Sequence, residues 1–183
     1  MPVAYGFLVP DEIEIRPIRE SEFAAAGEAT ARAYREFLTP DRPGFAAYVA
    51  RIADIGARVD HATVLVAVVG GVIAGSATLE IDSRVSPTTA EPLDPDEAHL
   101  RMLGVSPDLR GLGIGRRLVA ACIDVARERG KRRLTLDTSP LMEAAQRMYS
   151  TMRFVSTGER SMPDGGVLLG YTIDVQSAAP ATR

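Results

Sequence analysis

Apolar residues first recur at Ile13, Ile15 and Ile18, which predicts a short strand with Pro17 near its end. Ser21 stands where a side chain can cap a following helix. Phe23, Thr30, Tyr34, Phe37 and Leu38 then repeat at roughly helical spacing, Pro40 and Pro43 interrupt, and Phe45, Val49, Ile52 and Ile55 mark one face of a second helix. From Val64 to Val69 the pattern becomes an unbroken aliphatic run, read as a strand. Gly70-Gly71 suits a two-residue hairpin turn, and Val72 to Ile81 returns as the partner. Residues 83–96, rich in proline, hydroxyl and acidic side chains, read as a loop, and Ala98 to Val105 is a further apolar segment. After a glycine-rich turn, Ile114, Leu118, Ala121, Cys122 and Val125 line one face of a helix that Gly130 stops. Leu134 and Leu136 indicate a strand. Ser139-Pro140 reads as a helix start for the stripe Leu141, Ala145, Met148, Tyr149 and Met152, and Val167 to Val175 closes the series as one strand or more.

This order combines a hairpin with later strand–helix–strand units. It predicts an α/β (α+β) chain with one central mixed β-sheet and helices on both faces. Residues 1–12 read as a lead-in, 13–175 as a single domain and 176–183 as a disordered tail. The length of 183 residues suits one domain, and 46% apolar with 25% charged residues is ordinary for a globular protein. The longest aliphatic run falls far short of the roughly 20 residues a membrane helix needs. Met1-Pro2-Val3-Ala4-Tyr5 does not open a basic-then-apolar leader. The only cysteine, Cys122, excludes an intrachain disulfide and lies on a buried stripe, where a thiol packs. These features fit a cytoplasmic protein without a membrane partner. A net charge of −3 gives no electrostatic reason to expect nucleic acid.

The segment Leu100 to Val119 carries the clearest chemistry: a strand ends, a Pro-Asp turn follows, glycines occupy positions 111, 113 and 115, and an amphipathic helix begins. Glycines admit a ligand close to the backbone, the first helical amides have no intrahelical partner, and the helix dipole favours an anion. Arg110, Arg116 and Arg117 reinforce the sign, so a pyrophosphate is a natural ligand. A nucleotide P-loop would need Gly-Lys-Ser/Thr, but Gly115 precedes Arg116-Arg117. A dinucleotide fingerprint would need G-x-G-x-x-G, which this spacing does not supply.

Arg110-Gly111-Leu112-Gly113-Ile114-Gly115 resembles the Arg/Gln-x-x-Gly-x-Gly/Ala motif of the GNAT superfamily of N-acyltransferases. Leu100 to Pro107 is similar to that family's central strand. Ala145-Gln146-Arg147-Met148-Tyr149 with Phe154 is similar to its C-terminal helix and the Gly-Phe pair that follows. The likeness runs over 13–175 in element order and is specific within 98–155. Two positions depart from it: Met142 stands where many members carry an asparagine that touches CoA, and Arg153 takes the place of the glycine.

The resemblance implies an N-acetyltransferase that passes an acetyl group directly from acetyl-CoA to an amine of a small molecule or peptide, with no metal. It implies that backbone at Leu103, Gly104 and Val105 holds the pantetheine arm, with the Leu103 amide polarising the thioester carbonyl. The stretch Arg110, Gly111, Leu112, Gly113, Ile114, Gly115 and Arg116 would hold the pyrophosphate. Tyr149 matches the general acid, although on helical spacing alone it reads as core. Glu80, Glu97 and His99 are the candidate bases. His99 falls where relatives carry a glutamate, yet it could be a hydrogen-bonded surface histidine, and Glu97 could only end a strand. A non-catalytic module that binds or senses acyl-CoA on the same fold is the alternative. Acceptor choice is expected from the first helices, the 83–96 loop and the region 156–166. Homodimers are common among such enzymes, with no interface legible in this chain.

Overall fold

The aliphatic run and its glycine turn form the central hairpin, β2 (Thr63–Val69) and β3 (Val72–Glu80), in a computed structural model that describes residues 13–37, 44–82, 93–162 and 166–178. β1 (Ile13–Pro17) pairs antiparallel with β2. Beyond β3 come β4 (Glu97–Val105), β5 (Arg133–Thr138), β7 (Val167–Asp174) and β6 (Val155–Ser161), giving a seven-stranded sheet in the order β1-β2-β3-β4-β5-β7-β6. Only β4 and β5 are parallel; the other neighbours are antiparallel. Every residue from Val64 to Val69 is buried because both faces of β2 are covered, which is why the run shows no alternation. Leu65, Ala67 and Val69 join the main core, while Val64, Val66 and Val68 join a second cluster with Ala26 and Ile55.

Helices α1 (Phe23–Arg35), α2 (Phe45–Ala53) and α3 (Gly56–Val59) cover this second face. α1 and α2 approach so closely that a methyl group at Gly27 would run into the Ala53 carbonyl oxygen. The entry to α1 is held by Glu22 rather than Ser21: its carboxylate accepts the Arg19 amide at 2.9 Å and the Arg16 guanidinium at 2.6 and 2.8 Å. Helices α4 (Ile114–Glu128) and α5 (Glu143–Thr151) carry Ile114, Leu118, Val119, Cys122, Ile123, Ala126 and Tyr149 into the main core. Arg127, at the C-terminal end of α4, donates to the Val175 carbonyl at 2.8 and 2.5 Å and to the Ala178 carbonyl at 3.0 Å. The chain is therefore held as far as Ala178; the expected lead-in at 1–12, the loop at 83–92 and positions 179–183 lie outside the described residues. Among the described residues no helix is long and apolar enough to cross a membrane.

Two further elements differ from expectation. Ser139-Pro140 makes a turn instead of starting the helix: Ser139 Oγ accepts the Leu141 amide at 3.2 Å, α5 begins at Glu143, and Leu141 is exposed. The region 156–166 contains an edge strand, β6, whose seven residues are all exposed. Arg153 has φ 68°, the left-handed conformation in which a glycine ends a helix, and Phe154 then donates its amide to the Tyr149 carbonyl at 3.0 Å. An exposed side chain is thus held where a Cβ costs about 1–2 kcal/mol. Arg153→Gly is expected to raise unfolding stability by about 1 kcal/mol in urea titration; a loss would show that the arginine side chain makes a compensating contribution.

Candidate active site

The site is organised by an irregularity in β4. Thr78 pairs with Arg101 and Ser76 with Gly104, so Met102 and Leu103 together oppose Ala77 alone. Met102 takes φ 49°, the mark of a bulge that bends the strand. Arg101 faces the α1–α3 side with Glu80, and Met102 packs there against Ala31 and Ile52, while Leu103 leans on the main core. Gly104 lets α1 sit against the bent strand: a Cβ would lie 2.9 Å from Thr30 Cγ2, and Thr30 Oγ1 is 2.6 Å from Ser76 Oγ. Pairing between β4 and β5 covers only Glu97–Arg133 to Leu100–Leu136, although β4 continues to Val105 and β5 to Thr138. From Arg101 onward the two strands part, and the β4 backbone from 101 to 105 has no β5 partner.

The opening is followed by the glycine turn. A 3-10 turn at Pro107–Leu109 leads through Arg110 to Gly111 and Gly113, with φ 81° and 76°, and α4 starts at Ile114 with no side chain capping its amides. Added Cβ atoms at Gly111 and Gly113 would meet nothing within 4 Å, so the Cα atoms of both glycines border open space. Gly115 lies behind, where a Cβ would touch Met148 Sδ at 3.5 Å and Val105 Cγ2 at 3.7 Å; its small size brings the first turn of α4 up to α5 and the end of β4. The arginines are less free than their number suggests. Arg110 pairs with Glu36, Arg116 donates to Thr151 Oγ1 at 3.0 Å and Arg117 reaches the Ile13 carbonyl at 3.4 Å. Cationic side chains thus brace the turn, and the unpaired donors are main-chain amides. Met142 is also engaged, its sulfur accepting the Thr138 hydroxyl at 3.6 Å. A groove of about 610 Å³ runs along α5, lined by Glu143, Gln146, Arg147, Ser150, Thr151 and Tyr171.

Tyr149 is buried on this side, its ring 5.6 Å from Phe154 and 5.8 Å from Tyr171, the residue that pairs with Leu136 where β4 and β5 separate. Among the described residues its hydroxyl meets no hydrogen-bond partner. Burial, with Cys122 and Tyr171 nearby, pushes the phenol above its usual range, so it stays protonated. The candidate bases lie on the opposite face. Glu80 pairs in register with His99, is 3% exposed and meets Arg101 at 3.4 Å. His99 Nδ1 lies 2.8 Å from Thr135 Oγ1, which donates to Glu97 Oε1 at 2.8 Å; Glu97 Oε2 meets Arg133 at 3.5 Å. The structure therefore gathers Glu80, Glu97 and His99 on one side of the sheet and leaves Tyr149 and the glycine turn on the other.

Sequence reasoning missed part of the lining on this α1–α3 side. Tyr34 on α1, edge-on to Tyr48 at 6.4 Å, lies within electrostatic reach of Tyr149, Arg101 and Arg58. Thr135 and Asp137 project beside His99, and Asp137 pairs with Arg160 of β6. The available signal was the alternation Glu97, His99, Arg101 and Arg133, Thr135, Asp137 in strands whose intervening residues are apolar.

Comparison with known proteins places this geometry. A family model described as the acetyltransferase (GNAT) family matches residues 26–154. The chain is 32% identical over 96 residues to N-acetyltransferase 8F1 of Rattus norvegicus, a match spanning 52% of this chain and 43% of that relative's length. Among solved structures, the aminoglycoside acetyltransferase AAC(6')-Ib in complex with coenzyme A superposes with TM-score 0.67 at 21% identity, over 90% of this chain and 95% of its own. The Salmonella typhimurium protein yncA, solved with its cofactor acetyl-CoA, superposes with TM-score 0.64 at 20% identity, over 93% and 98%.

Burial lowers the His99 pKa from 6.5 against the opposing pull of Asp137 and Glu80, with Arg101 and Arg160 adding to the lowering. Just below pH 6.5 the unfolded chain binds a proton at this position more readily than the folded chain, so folding stability falls as pH drops through that window. Urea titrations at pH 7 and pH 5.5 are expected to show a smaller acid loss for His99→Gln than for wild type. Equal losses would mean that His99 does not titrate below its ordinary value in the fold.

Proposed function

Because the chain belongs to the acetyltransferase (GNAT) family, we propose that it is an N-acetyltransferase that moves an acetyl group from acetyl-CoA directly onto an amine of a small molecule or peptide. The observation that carries this reading is the parting of β4 and β5 past Leu100 and Leu136, with uncapped amides on one side of the sheet and a basic side chain on the other. The CoA-bound and acetyl-CoA-bound states of the two solved relatives support the choice of donor.

The residues present fit that donor. Open space at the Cα atoms of Gly111 and Gly113 beside uncapped helix amides suits a diphosphate; the Arg110 amide expected to join them already donates to the Pro107 carbonyl at 3.4 Å, so the amides from Gly111 to Arg116 would hold it with charge-assisted hydrogen bonds of about 1.5–3 kcal/mol each. The β4 backbone at Leu103, Gly104 and Val105, unpaired toward β5, would take the amide-bearing arm as an added strand. Bound there, the thioester supplies the activated acetyl group. The Leu103 amide would polarise its carbonyl where negative charge develops.

An amine with a pKa near 10.4 must lose a proton before attack, which costs about 4–5 kcal/mol at pH 7. His99 is neutral at that pH and would take the proton, directly or through water, with Glu80 beside it. Tyr149, kept protonated by burial and with an uncommitted hydroxyl, would give a proton to the departing sulfur.

Calorimetry with acetyl-CoA and a thiol-release assay over a panel of amines test the reading. Wild type is expected to bind the donor and turn over at least one amine. Gly113→Val, strained at φ 76° and intruding on the open space, is expected to weaken donor binding. Tyr149→Phe is expected to keep donor affinity and lower kcat by about 10²- to 10⁴-fold. Absence of any affinity for acetyl-CoA would remove donor, tyrosine and reaction together; binding without turnover of any amine would favour a sensing module.

A further inference from the structure

Three side chains on the parallel pair β4–β5 form a directed chain. Thr135 pairs in register with His99, and its hydroxyl reaches back along the sheet to Glu97. A threonine hydroxyl has one proton to donate. Its acceptors here are Glu97 Oε1 at 2.8 Å and the Ala98 carbonyl at 3.3 Å; neither the carboxylate nor the carbonyl can donate in return. His99 Nδ1, 2.8 Å from the same oxygen, must therefore be the donor. The other carboxylate oxygen of Glu97 is held by Arg133, itself paired with Asp94 at 2.6 Å and Asp96 at 3.4 Å, so the start of the chain is fixed.

We propose that Glu97 and Thr135 are positioning residues that hold His99 as its Nδ1–H tautomer, so that Nε2 carries the lone pair that takes the proton from the acceptor amine. The second half of this statement rests on the acetyl-transfer reading above; the first half does not. Glu97 then acts through Thr135 rather than as a base. The two-step chain does for this imidazole what a carboxylate bonded to Nδ1 does in hydrolase triads: it selects the tautomer and the ring orientation. Nε2 makes no hydrogen bond among the described residues and the ring is half-buried, so its lone pair is not committed to any of them. The charged groups facing the ring are Asp137 of β5, Glu80 of β3, Arg101 of β4 and Arg160 of β6, with Arg160 paired to Asp137 and Arg101 to Glu80. None of them contacts Nδ1, so the tautomer is set by Thr135.

The chain has two histidines, so His61→Gln leaves His99 alone in a spectrum of protein labelled with ¹⁵N-histidine. A long-range ¹H–¹⁵N correlation at pH 8, without acetyl donor, is expected to show a protonated Nδ1 and an unprotonated Nε2. Thr135→Val should shift the ring toward the Nε2–H form, and Thr135→Ser should preserve the wild-type pattern. In the amine assay Thr135→Val should lower kcat by about 10- to 100-fold, part of what a positioned base contributes, with the KM for acetyl-CoA unchanged; Thr135→Ser should restore it. An Nε2–H tautomer in wild type, or a tautomer unaffected by Thr135→Val, overturns the locking. A shifted tautomer with wild-type kcat overturns the catalytic role of the lock. The spectrum is read without turnover, so a protein that shows the lock yet acetylates no amine refutes the enzymatic reading and not the hydrogen-bond chain.

Discussion

The separation of β4 from β5 after only four paired residues is the constraint on which the rest of the site depends. A continuous sheet would use every backbone donor and acceptor on both strands and seal one face from the other. Here the bulge at Met102 and Leu103 bends β4 away, and the left-handed strain at Met102 is held by packing against Ala31 and Ile52. Gly75 and Gly104 allow the bent strand to stay close to β3 and α1: a Cβ at Gly75 would collide with the Gly104 carbonyl. The cost of unpaired backbone on β4 is thus met by apolar packing on one side and is recoverable by a ligand that pairs with it.

That opening divides the chemistry. On the α4–α5 side lie main-chain donors, small residues and a buried phenol. On the α1–α3 side lie the imidazole, the carboxylates and the guanidinium of Arg101. In the acetyl transfer proposed above, this division would let a large anionic donor and a cationic acceptor approach from opposite faces. Burial acts on both faces: desolvation raises the Tyr149 phenol and lowers the His99 imidazole, so each favours its neutral form.

The sheet, the hairpin turn and the glycine motif were legible because each rests on local rules: β2 on an uninterrupted aliphatic run, the start of α4 on glycines at 111, 113 and 115. Less legible were features set by tertiary pairing. β6 has no apolar face and is a strand because β7 offers it a backbone partner. Ser21 and Ser139 have the right side chains for caps, but Glu22 wins at the first helix through its bonds to Arg16 and Arg19, and Ser139 turns the chain before α5 begins. The Arg153 departure from the glycine pattern left the turn itself intact, with the left-handed conformation carried by a residue that tolerates it poorly. Glu80, Glu97 and His99 could be picked out as chemistry, but their grouping with Thr135 required the parallel register.

The Arg127 tie at the far end of α4 has a mechanical consequence for the uncapped amides at its near end. A helix of 15 residues is about 22 Å long, so a tilt of one degree about that anchor moves the first amides by about 0.4 Å. Productive geometry tolerates about 0.5 Å. The guanidinium that clasps the carbonyls of Val175 and Ala178 therefore works as the fixed pivot of a lever, and the aim of the first amides of α4 is set some 20 Å away by the turn that ends at Ala178.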